Sequence, residues 1–342
     1  SGGSEANESA IKLAIQYQAS RGKPEKNMIL TRTLSYHGTT LNMSGISGHT
    51  ARKRGLESYV PKAPMIETPY PLRCPIGSFH PDAKDYYLNN LKEVLKEVGP
   101  ENIAGLLMEP INGSSGGAIS PPEGYWEEAQ KILIDNDILL IADEVMTGFG
   151  RVGEDFASNL YNLKPDILVA GKGMGGGYAA IGGTYSTDEI ADSIMAAGYE
   201  VMFHTFAALP QSCAAATAVL KILREEKLCD RVNPLGEKIM DQLNEEVGQH
   251  PNVAEIRGKG LLIGIEIVKE KERLICFDEN EKVTSQIMMK GLEDGVFLYP
   301  GGTGEFRDIV CIGPAFTIGD EEIELMVNAV KNSLNYIANK YS

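Results

Sequence analysis

Long apolar runs are missing from this chain of 342 residues. None approaches the roughly 18–20 residues that carry a helix across a bilayer, and no segment resembles a signal peptide, so neither a membrane span nor a secretory leader is expected. Cysteine is scarce and scattered. Cys74, Cys213, Cys229, Cys276 and Cys311 are odd in number and without C-x-x-C spacing, which speaks against a structural zinc site and for a reducing compartment, the cytoplasm. Positive charge is outweighed: 32 Lys plus Arg face 47 Asp plus Glu, a net charge of -15. That balance repels phosphate backbones, so neither nucleic acid nor an anionic membrane is expected as a partner. There is no low-complexity tract and no internal repeat, and the composition is that of a globular protein with small-molecule or protein partners.

What is present is alternation. Apolar runs such as "NMILT", "IAGLLMEP", "ILLIADE" and "DILVAG" interleave with amphipathic helical stretches at about 5–20, 85–98, 122–136 and 208–225. This is the pattern of an α/β domain built on a mostly parallel sheet with helices on both faces. After about residue 230 the texture changes to a long helix, two β-rich runs in "VAEIRGKGLLIGIEIV", then helix, strand and a closing helix from about 320. A large domain over 1–230 and a smaller α+β domain over 231–342 are therefore expected.

The densest glycine cluster is "GKGMGGGY", immediately after the strand-like "DILVA". Its glycines spell G-x-G-x-x-G, but a dinucleotide fingerprint also needs a helix opening on the last glycine, and "GYAAIGGTYS" is glycine-broken and strand-like. A phosphate-binding P-loop fails too, because Lys172 is followed by Gly173 rather than Ser or Thr. Two readings remain open for this loop on its own: a structural turn, or a backbone cleared by glycines so that one amine can reach a planar ligand. An amine so placed can form a Schiff base with an aldehyde cofactor, of which pyridoxal phosphate is the common one.

That second reading needs a carboxylate for a pyridine nitrogen, an anion site for a phosphate and an aromatic ring for a cofactor face. Asp143 ends the apolar strand "ILLIAD", where a parallel sheet presents its site residues, although a loop acid or helix cap would look the same. In "SGGSEANESAIKLA" Gly2 and Gly3 allow close backbone approach, Ser4 can cap and donate, and a helix from about Glu5 would aim its dipole at an anion. An ordinary Ser-capped helix reads the same way. Tyr36 in "SYHGTT" supplies a ring after a strand, with His37 beside it as a further candidate or a hydrogen-bonded neighbour.

Taken in order, "SGGSEANESAIKLA", "YHGTT", "MEPI", "DEVMTGFGR", "AGKGMGGGY", "HTF" and "RGKGLLIGIE" resemble the class III pyridoxal-phosphate aminotransferases of fold type I, over essentially the whole chain. The resemblance implies that Lys172 holds the cofactor as a Schiff base, Asp143 pairs with the pyridine nitrogen, and Tyr36 stacks on the ring. It also implies that Gly3 and Ser4 bind the phosphate, Val145 packs on the other ring face, and Glu109 lies near the cofactor edge. Thr205 matches the position that reaches across a homodimer interface to the partner's cofactor phosphate. A ping-pong transfer from an amine or amino acid donor to a keto acid such as pyruvate or 2-oxoglutarate is the implied activity. A racemase, decarboxylase or aminomutase on the same fold would carry the same elements, and a nicotinamide-dependent dehydrogenase is the distant rival.

Departures bear on substrate. Where the family often has a Gln touching the cofactor hydroxyl, this chain has Met146. Members acting on ornithine or 4-aminobutyrate carry an acid shortly after "EPI" and an Arg before the C-terminal "PP" motif; here Ser114 and Cys311 stand in those regions. Arg307 is the nearest remaining candidate for a substrate carboxylate. The opening also reads as though a segment preceded it, which in the family builds part of the substrate pocket.

Overall fold

The computed structural model describes residues 1–201 and 204–341, and the chain folds as two compact units. The first comprises residues 1–111, 120–149 and 154–226. Its strands are β1 (Met28–Arg32), β2 (Met65–Ile66), β3 (Ile103–Met108), β4 (Leu139–Asp143), β5 (Ile167–Ala170) and β6 (Gly183–Ser186). They form one sheet in the order β2-β1-β3-β4-β5-β6. All neighbours run parallel except β6, which turns back antiparallel to β5. Its helices are α1 (Gly3–Ser20), α2 (Leu41–Ile46), α3 (Ala83–Val98), α4 (Tyr125–Asp135), α5 (Ala157–Leu160), α6 (Asp188–Ala196) and α7 (Pro210–Glu225).

The parallel strands read as continuous apolar runs because both sheet faces are covered. Leu139 and Ile141 of β4 join one core with Ala6, Ala10, Ala14 and Tyr17 of α1, while Leu140 and Ala142 join another with Leu91, Leu95 and Trp126 from α3 and α4. Alanine at every fourth position of α1 gives that helix a flat stripe that lies close to the sheet. Consecutive residues of β4 thus bury opposite faces, and the strand's last residue, Asp143, emerges at the carboxyl edge of the sheet.

The second unit comprises residues 112–119, 150–153 and 227–342. Its sheet takes β7 (Val253–Lys259), β8 (Leu262–Ile267), β9 (Tyr299–Thr303) and β10 (Phe306–Ile312) in the order β7-β8-β10-β9, all antiparallel. Helices α8 (Val232–Val247), α9 (Val283–Glu293) and α10 (Asp320–Tyr341) cover its core. Where the sequence led us to expect one strand after α9 there is a hairpin. β9 escaped because "YPGGT" carries no apolar alternation; it sits at the sheet edge, where a proline without an N–H is tolerated. The contiguous division 1–230 and 231–342 also lacks the two short segments, 112–119 and 150–153, that fold with the second unit.

One side chain explains how 112–119 is held there. Arg257 of β7, buried, donates from Nε to the Gly117 carbonyl at 2.7 Å and from Nη2 to that of Gly116 at 2.6 Å. Its Nη1 meets Glu255 at 2.7 Å and the buried Glu266 at 2.9 Å. Close approach helps: a Cβ on Gly264 would lie 2.2 Å from the Gly117 carbonyl oxygen. Arg257→Leu removes the cation from a buried carboxylate and two donors from the segment, so it is expected to lower stability by about 3–5 kcal/mol. Urea unfolding followed by circular dichroism checks this, and a midpoint equal to that of the unaltered protein would contradict it. Among the described residues no helix is long and apolar enough to cross a membrane.

Candidate active site

Four adjacent parallel strands deliver polar groups to one edge of the first sheet. Tyr36 and His37 follow β1, Glu109 follows β3, Asp143 ends β4 and Lys172 follows β5. The carboxyl ends of parallel strands are where open α/β sheets place their ligands, because the loops there diverge and leave a crevice.

Asp143 is 4% exposed and would be costly to bury charged without partners. It has three. Asn7 Nδ2 donates to Oδ2 at 2.8 Å, His37 Nδ1 meets the same oxygen at 2.8 Å, and the Val145 N–H donates to Oδ1 at 3.1 Å. Asn7 also donates to the His37 carbonyl at 2.9 Å, which fixes the pair as a unit. The neighbouring Glu144 serves another purpose. Thr147, Ala157 and Ser158 all donate to it, so it organises the turn leading into α5.

Lys172 opens a 3-10 turn, Lys172–Gly175, with φ +37. A non-glycine residue in that region carries strain, of the kind that tertiary structure holds in place at functional sites. Its side chain remains reachable by solvent, yet the protein packed around it lowers the amine's pKa; the carboxylates of Asp143 and Glu109 oppose that shift and Arg52 adds to it. After the turn the chain returns as the antiparallel β6, and no helix opens on the glycines before α6. A dinucleotide fingerprint is therefore absent in structure as well as in context.

The start of α1 lies against the same loops. A Cβ on Gly3 would lie 2.9 Å from Val145 Cγ1, one on Gly171 would lie 3.6 Å from the Gly3 nitrogen, and one on Gly182 would lie 2.7 Å from the Gly2 carbonyl oxygen. The helix begins at Gly3 with the extended Gly2 as its cap, two residues earlier than expected, so Ser4 does not cap it. Ser4 Oγ instead accepts from the Thr39 N–H at 3.1 Å, which leaves its own O–H to donate.

Tyr36 is half-buried, with the Arg52 guanidinium 4.3 Å from its ring centroid and His49 edge-on at 5.9 Å. Glu109 is buried, and Arg32 Nη2 donates to its carbonyl at 2.8 Å and reaches its carboxylate at 3.3 Å. Met146 is half-buried in the turn after Asp143, and Thr205 is exposed beyond α6. Arg307 lies in the second unit and donates to the carbonyls of Gly304 at 3.0 Å and Phe277 at 2.5 Å. Asn7, Arg32 and Arg52 were not foreseen. Asn7 had a signal, a polar residue on the stripe of α1 otherwise filled by Ile11 and Ala14.

These residues suit pyridoxal phosphate. An ionised carboxylate offers about four acceptor sites, and three donors at Asp143 leave one for a ring N–H. Gly3 and Gly171 both lie close against Val145, and the first turn of α1, whose N–H groups lack partners within the helix and suit a phosphate, starts at Gly3. A lysine after the neighbouring strand completes the set of groups that a fold type I pyridoxal-phosphate enzyme uses. Comparison with known proteins makes the class definite. Residues 1–334 match the family "Aminotransferase class-III". An uncharacterised aminotransferase of Bacillus subtilis is 36% identical over 95% of this chain and 74% of its own length. The putrescine–pyruvate aminotransferase of Pseudomonas aeruginosa is 32% identical, over 98% of this chain and 72% of its own. Among solved structures, an amine transaminase from an uncultivated Pseudomonas species in its pyridoxal-phosphate-bound form superposes with a TM-score of 0.91 at 31% identity, covering 98% of this chain and 76% of that one. The chain belongs to the class III aminotransferases and is a pyridoxal-phosphate-dependent transaminase.

The ring cluster has a pH signature. Burial, reinforced by the Arg52 charge, lowers the His49 pKa from 6.5 to about 4, so the folded protein holds this imidazole neutral. A histidine with a folded pKa below its unfolded value contributes stability fully above pH 6.5 and loses it as pH falls toward 4. The thermal midpoint is expected to decline over that window, and His49→Gln to flatten the decline; an identical slope in the variant would remove His49 from this role.

Proposed function

We propose that this transaminase works in two half-reactions at one site, a donor amine or amino acid leaving its nitrogen for a keto acid such as pyruvate or 2-oxoglutarate to collect. The observation that carries the residue assignments is the convergence of Lys172, a partnered Asp143 and the α1 N-terminus at one sheet edge.

Pyridoxal phosphate, when bound, supplies an electrophilic carbon and an electron sink. Lys172 Nζ would hold it covalently, and the same amine, when free, would take the proton from the donor carbon and return it. A lowered pKa suits that proton transfer, because more of the amine is unprotonated near neutral pH. Asp143 would accept the cofactor's ring N–H, while His37 and Asn7 hold the carboxylate's orientation. Gly3, the Ser4 hydroxyl and the first turn of α1 bind the phosphate. Val145 and Tyr36 would pack against the cofactor ring, and Glu109, fixed by Arg32, would lie beside it. Met146 offers a thioether where a Gln would donate a hydrogen bond. Arg307, engaged with carbonyls of its own unit, is given no substrate role.

We read the first unit as the large cofactor-binding domain and the second as the small domain. A homodimer in which Thr205 reaches the partner's site is supported by the exposure of Thr205 together with Tyr178 at 86% and Phe206 at 65%, large apolar surfaces that association would cover. Sedimentation equilibrium should give twice the chain mass, and a monomer at all concentrations would contradict the shared site.

For the chemistry, the holoenzyme should absorb in the visible and retain cofactor covalently after borohydride treatment. Lys172→Ala should lose both the retained cofactor and turnover. Asp143→Asn should still bind cofactor and lose at least about 100-fold in kcat, since one preorganised charge facing the developing electron density is removed. Turnover of Lys172→Ala with any amine donor would overturn the central assignment.

A further inference from the structure

Each of the four polar atoms of His37 has a partner. Its backbone N–H donates to Ser47 Oγ at 2.9 Å, and its carbonyl accepts from Asn7 Nδ2 at 2.9 Å. Ser47 in turn donates to the Met43 carbonyl at 2.6 Å, which ties the loop after β1 to α2. On the ring, Nδ1 meets Asp143 Oδ2 at 2.8 Å, and Nε2 meets Thr31 Oγ1 at 3.5 Å. Both His37 and Thr31 are buried. Thr31 is carried on β1, with its N–H on the Pro64 carbonyl at 3.1 Å, so its hydroxyl is placed by the sheet rather than by a loop.

Which way the Thr31 proton points follows from its neighbours, because a hydroxyl has one proton to give. Ser35 lies 3.3 Å away, but its own proton goes to the Arg32 carbonyl at 2.9 Å and its oxygen accepts from the Gly48 N–H at 2.9 Å. Ser35 is thus supplied in both directions, and the Thr31 O–H is left for Nε2. A neutral imidazole carries one N–H, and the hydrogen bond made by one nitrogen decides that the proton sits on the other. That nitrogen is Nδ1, the one beside Asp143. A proton on Nε2 instead would set the Nδ1 lone pair against a carboxylate oxygen at 2.8 Å.

We propose that Thr31 is a positioning residue for the transaminase reaction: by donating to Nε2 it holds the His37 ring with its proton on Nδ1, and so steadies the Asp143 carboxylate. The proposal rests on the transaminase reading of the site and extends it to a residue that acts only through His37. Contacts at opposite nitrogens fix the plane of the imidazole, whereas a ring held by Asp143 alone can swing about that one bond.

The test compares the unaltered full chain with T31V and T31S. Valine keeps the shape of threonine and its preference for a strand while removing the hydroxyl, and serine keeps the hydroxyl. The first reading needs no turnover. With isotopically labelled nitrogen in the rings of the five histidines, His37→Gln identifies the His37 signals in NMR spectra recorded with and without pyridoxal phosphate. Nδ1 should appear protonated and Nε2 unprotonated. The Nε2 signal should move in T31V, as its hydrogen bond is lost, and return in T31S. The second reading is kinetic, on the loaded enzyme. T31V should lower kcat about 3- to 10-fold, the worth of one buried hydrogen bond, with KM for donor and acceptor changed by less than about twofold, and T31S should recover most of the loss. A proton on Nε2 in the unaltered protein would overturn the proposal even if T31V did not fold. So would an Nε2 signal or a kcat unmoved by T31V, or a T31S variant no better than T31V, which would assign Thr31 to packing alone. An unaltered enzyme that turned over no pair of donor and acceptor would instead sink the transaminase reading, while the nitrogen signals would still decide the hydrogen bond.

Discussion

A single buried carboxylate sets the terms for the rest of this site. Asp143 is carried on the last residue of β4 into a place where a carboxylate without partners would be costly, and its surroundings supply three hydrogen bonds to it. The donors come from three separate stretches of chain: Asn7 from α1, His37 from the loop after β1, and the Val145 N–H from the turn that follows. Because Asn7 also holds the His37 carbonyl, helix, loop and strand end are fixed by one set of hydrogen bonds. Satisfying the buried carboxylate and fixing the architecture are thus the same requirement.

Lys172 is governed by opposed influences. Packing lowers its proton affinity, while the carboxylates of Asp143 and Glu109 oppose that shift. The adjacent acids are separated in role by their partners alone. Asp143 is held by Asn7, His37 and the Val145 N–H, while Glu144 has its oxygens occupied by Thr147, Ala157 and Ser158 and builds the following turn.

Much of this was legible from the chain. The parallel strands announced themselves because both their faces are buried, which leaves no polar alternation to mislead. Lys172 and Asp143 were legible because each stands directly after such a run. The failures have physical causes of their own. Gly2 caps α1 through an extended backbone, so the serine that resembled a cap was free for Thr39. β9 is an edge strand whose proline and glycines hide it, and segments 112–119 and 150–153 join the second unit through contacts distant in sequence, such as Arg257 to Gly116 and Gly117. Arg32 and Arg52 were invisible for another reason: a single arginine carries no periodicity, and only the fold shows that one grips Glu109 and the other lies on Tyr36.

The contact of Gly182 with the Gly2 carbonyl has an engineering consequence. It joins the return leg of the lysine turn to the start of α1 with no side chain in between, so the backbone of the Lys172 turn and the first turn of the helix share one mechanical reference. Libraries aimed at new substrates would do best to leave both glycines untouched.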